Sequence, residues 1–229
     1  MTNAFNIHAF NAKKYNFHEI ISDFIGIDDL SQLKLNEEVS QDKFDDSYSM
    51  YKNMEQSEAY NKLYQKLNSP IGDQFYTLYG KFIREVIQPQ YDEPIYFQEK
   101  PTHRIIFADT PGVSRLHRDS DYGHHPKEIN YFLPQTKAFD TNTVWIESER
   151  GKEDLSPMNV RMGQYARFNG ASLLHGAMPN TTNASRVSFD FRILKASDYT
   201  SQHTDQSNWE EKDKSNPLFR NAHGFVLCK

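Results

Sequence analysis

With 229 residues, 37% of them hydrophobic and 16 Phe plus 13 Tyr among them, the chain is long enough for one core in which large aromatics carry much of the burial. A net charge of -5 and the lack of a long Lys/Arg run deny phosphate backbones the basic surface they require, so nucleic acid is not an expected partner. No stretch approaches the ~18 apolar residues that span a bilayer, and MTNAFNIHAFNAKKYNFHEI has no leader pattern, so a soluble cytoplasmic protein is expected.

Residues 1–93 read as a helical region packing on the core. SEAYNKLYQKLNSP (57–70) places Ala59, Leu63 and Leu67 on one stripe, and IGDQFYTLYGKFIREVIQ (71–88) does the same with Phe75, Leu78, Phe82 and Val86. Between them and the start, QDKFDDSYSMYKNMEQ (41–56) is polar and aperiodic, which suits a lid or a linker. From residue 94 to 195 the period changes to two. PIYFQEK, HRIIFAD, RLHRD, EINYFLP, NTVWIES, QYARF, ASLLHG and SRVSFDFRI predict eight short strands, hence an antiparallel sandwich or barrel. Asn169-Gly170 predicts a two-residue hairpin turn. Asn180-Thr-Thr and Asn183-Ala-Ser match the glycosylation sequon but read as turns in a chain without a secretion signal. Residues 196–229 read as a polar, loosely attached tail. Its single cysteine, Cys228, permits neither an intrachain disulfide nor a thiolate metal cage.

LHRDSDYGHH (116–125) crowds three of the chain's 9 His with two acids. On an extended strand His117 and Asp119 point to one face with Cα atoms about 6.6 Å apart, so both can reach one ion. Asp121 shares that parity. A third ligand must come from elsewhere, and His175 ends an otherwise apolar segment; an ordinary core histidine fits there equally. Eleven residues later, SRVSFDFRI alternates Val187, Phe189, Phe191 and Ile193 with Arg186, Ser188, Asp190 and Arg192. Two readings fit: a solvated charged face on an edge strand, or a barrel interior in which Arg186 and Ser188 grip a carboxylate.

Two histidines and one carboxylate with open positions form the facial triad of non-heme iron oxygenases. His-x-Asp, a distant His, then Arg-x-Ser resembles the Fe(II)/2-oxoglutarate-dependent dioxygenases over roughly residues 94–195. Within them, HRDSDYGHHPKEINYFLP, TNTVWIESERGKEDLSP and FNGASLLHG resemble the group named after the streptomycin-biosynthesis protein StrG, similar in turn to phytanoyl-CoA hydroxylase relatives. The resemblance implies a double-stranded β-helix, a cupin-like jelly roll with helices packed on one sheet. It implies Fe(II) on His117, Asp119 and His175, and the distal carboxylate of 2-oxoglutarate on Arg186 and Ser188. Asn130 is expected at the cosubstrate's other end. Such an enzyme uses O2, releases succinate and CO2, and here would hydroxylate or otherwise oxidise a small polar, amino- or hydroxyl-bearing metabolite. Tyr122, His124, His125 and Trp145, with Glu128 and Glu147 nearby, are candidates for the substrate wall. Two alternatives stay open: a cupin-like isomerase or lyase with its metal on His117, His125, Glu128 and His175, which leaves Arg186 without a task, and a binding protein on the same barrel without turnover.

Overall fold

The computed structural model describes residues 4–35, 57–110, 116–200 and 224–228. The aperiodic stretch 41–56 and most of the polar tail lie outside them.

Among the described residues three α-helices form the outer layer. In α1 (Phe17–Ile25) the Asn16 side chain accepts from the Glu19 N–H, Phe17, Ile21, Phe24 and Ile25 are buried, and left-handed Gly26 ends the helix. In α2 (Glu58–Leu67) Ser57 caps the Tyr60 N–H, and Tyr60, Leu63 and Leu67 face inward while Ala59 is only half-buried. The third helix departs from its expected stripe. In α3 (Asp73–Phe82) Phe75, Tyr79 and Phe82 are buried, with Tyr79 in place of Leu78. A π turn, Ile83–Ile87, follows and buries Ile83 and Ile87. Its wider turn rotates the later side chains by about one position, so Val86 drifts off the buried face.

The strands are β1 (Phe5–Ala9), β2 (Ile95–Gln98), β3 (Thr102–Ile106), β4 (Ile129–Pro134), β5 (Val144–Ile146), β6 (Ser156–Pro157), β7 (Gln164–Phe168), β8 (His175–Ala177), β9 (Arg186–Lys195) and β10 (Phe225–Leu227). They pair antiparallel in two sheets, β1-β7-β4-β9-β2-β10 with β3 also on β9, and β6-β5-β8. The architecture is a double-stranded β-helix, with the helices covering one face of the large sheet.

Period-two alternation divides the burial between two cores. Tyr131 and Leu133 of β4, with Val187, Phe189, Phe191 and Ile193 of β9, join the helices in the larger one. Phe189 is its hub, with its ring edge-on to Phe17 at 5.0 Å, Phe75 at 5.4 Å and Tyr79 at 6.3 Å. Phe132, Ile146, Met158, Ala166 and Phe168 form the second core on the opposite side of the sheet. Since β9 is paired on both flanks, it is no edge strand, and its Arg186 and Arg192 are buried while Asp190 is partly so.

Four expectations need correction. Residues 5–9 form an edge strand in register with β7, Phe5 opposite Phe168, where a helical region was expected. Phe225–Leu227 pair with β2, and the Cys228 N–H donates to the Ile95 carbonyl, so the end of the tail is part of the sheet. Asn169-Gly170 is no hairpin turn, because β7 and β8 belong to different sheets and residues 169–174 cross between them. RLHRD is a single β-bridge at His117 followed by a 3-10 turn, Asp119–Tyr122. Among the described residues no helix is long and apolar enough to cross a membrane.

Candidate metal centre and its cavity

His117 and His175 face each other across an isolated antiparallel bridge whose two N–H···O bonds are both 2.9 Å. Asp119 opens the 3-10 turn after extended Arg118 (φ -107, ψ 137), and its N–H donates to the Gly170 carbonyl at 2.9 Å. The crossing loop 169–174 therefore supports one side chain and delivers another. Asp119 Oδ1 lies 3.4 Å from His117 Nε2 and 3.7 Å from His175 Nε2. One ligand atom from each residue lies within 4.8 Å of the others, which suits a divalent cation.

The other oxygen, Oδ2, accepts from Asn130 Nδ2 at 2.7 Å and Arg192 Nε at 2.9 Å, so Oδ1 is left to face the histidines. Burial by itself would raise the Asp119 carboxyl, but Arg192 and both histidines outweigh it and hold the group well below the usual range. For His175, burial lowers the imidazole to about 4, so the ring is neutral near pH 7. Its Nδ1 lies 2.9 Å from the Leu173 carbonyl, which requires the proton there and leaves the Nε2 lone pair for a metal.

These ligands open into a cavity of about 560 Å³ including its mouth, lined by Asn130, Phe132, Phe168 and, from β9, Arg186, Asp190 and Arg192. Two cations on its wall have carboxylate partners: Arg104 with Asp190 at 2.6 Å and Arg192 with Asp119. Arg186 differs. It is 1% exposed, stacks over Phe132 at 5.2 Å, and among the described residues its Nε and Nη1 meet no acceptor. Burial, with Arg104 adding to it, lowers its guanidinium to about 9, still charged at neutral pH. The buried Ser188 Oγ and Asn130 Oδ1 also lack partners. Of these, Arg186 and Asn130 line the cavity and Ser188 does not; buried polar atoms left unpaired are costly, and a polar ligand in the cavity relieves that cost for the first two.

The expected substrate wall is only partly assembled. Tyr122 is 40% exposed and sits edge-on to His117 with ring centroids 5.3 Å apart, beside the cavity but not lining it. His124 Nδ1 lies 3.0 Å from Glu128 Oε2 and the His125 N–H donates to Glu128 Oε1, which ties both to the 123–128 turn, and neither lines the cavity. Glu128, 3% exposed, reaches toward Arg192 at 3.7 Å. His125 and Glu128 are thus outside the candidate ligand group, and the cupin-like ligand set is not formed. Trp145 donates its indole N–H to the Asp140 carbonyl, and since Val144 lines the cavity, the strand alternation turns Trp145 away. Asp121 accepts the Arg118 N–H on the exposed side of its turn.

The sequence reading gave Arg192 and Gly170 no part in the site and set Glu147 near the substrate wall, whereas Glu147 does not line the cavity. Arg192 carries a visible signal, since it shares the parity of Arg186 and Ser188. For Gly170 the signal was misassigned to a turn: its φ is not left-handed, and a Cβ there would lie 2.7 Å from the Asn130 amide.

No family model matches the chain. The streptomycin biosynthesis protein StrG of Streptomyces griseus is 30% identical over 181 residues, covering 79% of this chain and 80% of that protein. Among solved structures, the non-heme monooxygenase ThoJ in its nickel complex is 12% identical over 85% of this chain and 74% of its own, with a TM-score of 0.47. EctD from S. alaskensis with bound Fe is 9% identical over 87% and 75%, with a TM-score of 0.49. The family assignment rests on the first of these relatives alone.

Proposed function

Because the chain belongs to the family of the streptomycin-biosynthesis protein StrG, we propose that it is an Fe(II)- and 2-oxoglutarate-dependent oxygenase acting on a small polar metabolite in the cytoplasm. The observation that carries this reading is the coincidence, in one cavity, of a His-Asp-His group and an arginine two of whose nitrogens meet no acceptor among the described residues. A metal alone would need only the first. A dicarboxylic cosubstrate needs both, at opposite ends.

In this reading His117, Asp119 and His175 hold Fe(II), and with 2-oxoglutarate also bound the site would couple O2 reduction and release of succinate and CO2 to oxidation of a substrate C–H bond. Arg186 binds the distal carboxylate with a guanidinium already aimed into the cavity, and Ser188 Oγ adds a hydroxyl donor. Arg192 and Asn130 orient Asp119 so that one oxygen faces the metal. Asn130, expected at the cosubstrate's other end, thus directs its amide donor to a ligand. Phe132 and Phe168 keep the cavity wall apolar and exclude water. The metabolite approaches from the rim near Tyr122, and a partly polar rim together with the family relative's role in streptomycin biosynthesis favours an amino- or hydroxyl-bearing molecule.

Anaerobic addition of Fe(II) and 2-oxoglutarate to the full chain should give the weak visible charge-transfer band of the chelate. Succinate release with a panel of polar metabolites should then be metal-dependent. Absence of both the band and 2-oxoglutarate consumption would overturn the assignment, while 2-oxoglutarate binding without succinate would mark a binding protein on this barrel.

A further inference from the structure

Glu147 follows directly on β5 and is completely buried, yet it neither lines the cavity nor touches any candidate ligand. Its two oxygens divide their tasks. Oε2 accepts the Gly151 N–H at 2.9 Å and the Glu153 N–H at 3.1 Å, and so closes its own loop. Oε1 accepts from Arg118 Nη2 at 2.8 Å and the Leu174 N–H at 2.6 Å. Arg118 stands between His117 and Asp119, and Leu174 immediately precedes His175. The Glu147 N–H also donates to the Leu174 carbonyl at 2.9 Å, and Arg118 Nε to the Ser172 carbonyl at 3.1 Å. One carboxylate oxygen is thus the node between the two segments that deliver all three ligands.

Resting on the iron-site reading above, we infer that Glu147 is a positioning residue that fixes the separation of segment 117–119 from segment 174–175 and so sets the affinity of the site for a divalent metal. A buried carboxylate is costly unless its lone pairs are filled, and here four donors fill them. The fold already joins these regions through β5–β8 pairing, Ile146 opposite His175. What Oε1 adds is the link to Arg118, whose segment makes, among the described residues, a single β-bridge. Glu147→Gln keeps the volume but turns an NH2 toward N–H donors in either orientation. Arg118→Met cuts the arm to the His117–Asp119 segment, together with the Nε bond to the Ser172 carbonyl, and leaves Glu147 its three backbone donors.

The test uses Co(II) alone as probe, titrated into the full chain against a competing chelator, with circular dichroism to verify folding and His175→Ala to define the site. Glu147→Gln and Arg118→Met should each raise the Co(II) dissociation constant about 10- to 100-fold and alter the ligand-field bands. The double variant should bind no more weakly than the weaker single variant, because both cut one link. Arg118→Met decides the matter if Glu147→Gln does not fold. Wild-type affinity and spectrum in the folded variants, or fully additive losses, overturn the role of Glu147 while leaving the iron site intact. If wild type fails to bind Co(II), or His175→Ala binds it equally well, the iron-site reading itself falls and this inference with it.

Discussion

Arg186 is charged, buried and, among the described residues, without an acceptor on two of its nitrogens, a combination that burial alone would select against. Charge-assisted pairing of a carboxylate with such a group contributes about 1.5 to 3 kcal/mol. Arg186→Ala should therefore raise the apparent Michaelis constant for 2-oxoglutarate about 10- to 150-fold with metal affinity little changed. Arg186→Lys, which keeps the charge but loses the fork, should fall between. An unchanged 2-oxoglutarate requirement in folded Arg186→Ala would remove Arg186 from the cosubstrate site. Asp119→Ala, His117→Ala and His175→Ala should abolish metal-dependent succinate release with circular dichroism unchanged; persistence of turnover in any of them would exclude that residue as a ligand. Gly170 acts by having no side chain. A methyl group there would press on Asn130, whose amide holds Asp119, and Gly170 also presents its carbonyl to the Asp119 N–H. Gly170→Ala should weaken Co(II) binding in addition to a destabilisation of about 1 to 3 kcal/mol from overpacking. Unaltered metal affinity would confine Gly170 to packing. At this scale the sequence shows residues whose neighbours along the chain reveal their direction, as Arg186 and Ser188 do. It hides those whose role is set by a distant partner, as with Gly170 against Asn130.

Among the elements, β9 is the one to which most others are attached, carrying β4 on one flank and β2 with β3 on the other. Its even alternation made it the most readable strand. β1 and β10 were missed for the opposite reason, since three to five residues hold too little pattern to compete with the helical and polar stretches around them, and their strand conformation comes from β7 and β2. The π turn after α3 escapes a 3.6-residue template by construction, although the existence of both later helices was plain. Truncating the hub of the helix-covered face should show how separate the two faces of β9 are. Phe189→Ala should cost about 3 to 5 kcal/mol in denaturant melts. Folded Phe189→Ala molecules should nevertheless keep a wild-type 2-oxoglutarate Michaelis constant. A constant raised as far as in Arg186→Ala would show that the faces are coupled.

For the whole molecule, acid should be the sensitive direction. His103 lies among Tyr64, Phe75 and Phe189, and among the described residues neither ring nitrogen meets a partner. Burial lowers its imidazole to about 3 from an ordinary value of 6.5. Below pH 6.5 the unfolded chain takes up a proton that the folded one refuses, so stability falls as pH drops from about 6.5 toward 3. In the metal-free protein His175 adds a loss of the same sign between about 6.5 and 4. His103→Phe should narrow the gap between the melting temperatures at pH 7 and pH 5, whatever its effect on either alone. An unchanged gap would show that His103 is not the group responsible.

The two-sidedness of β9 also bears on misfolding. A slip of one residue in its pairing would drive Arg186, Ser188, Asp190 and Arg192 into the aromatic layer under the helices and set four apolar side chains, Val187, Phe189, Phe191 and Ile193, in the cavity. No such chain could be compact and competent together, because the register that shelters the phenylalanines is the register that presents the cation. Catalytic output per mole of protein therefore counts correctly threaded molecules, and a preparation of low specific activity but ordinary far-ultraviolet dichroism would point to strand misregistration before chemical damage at the proposed metal ligands.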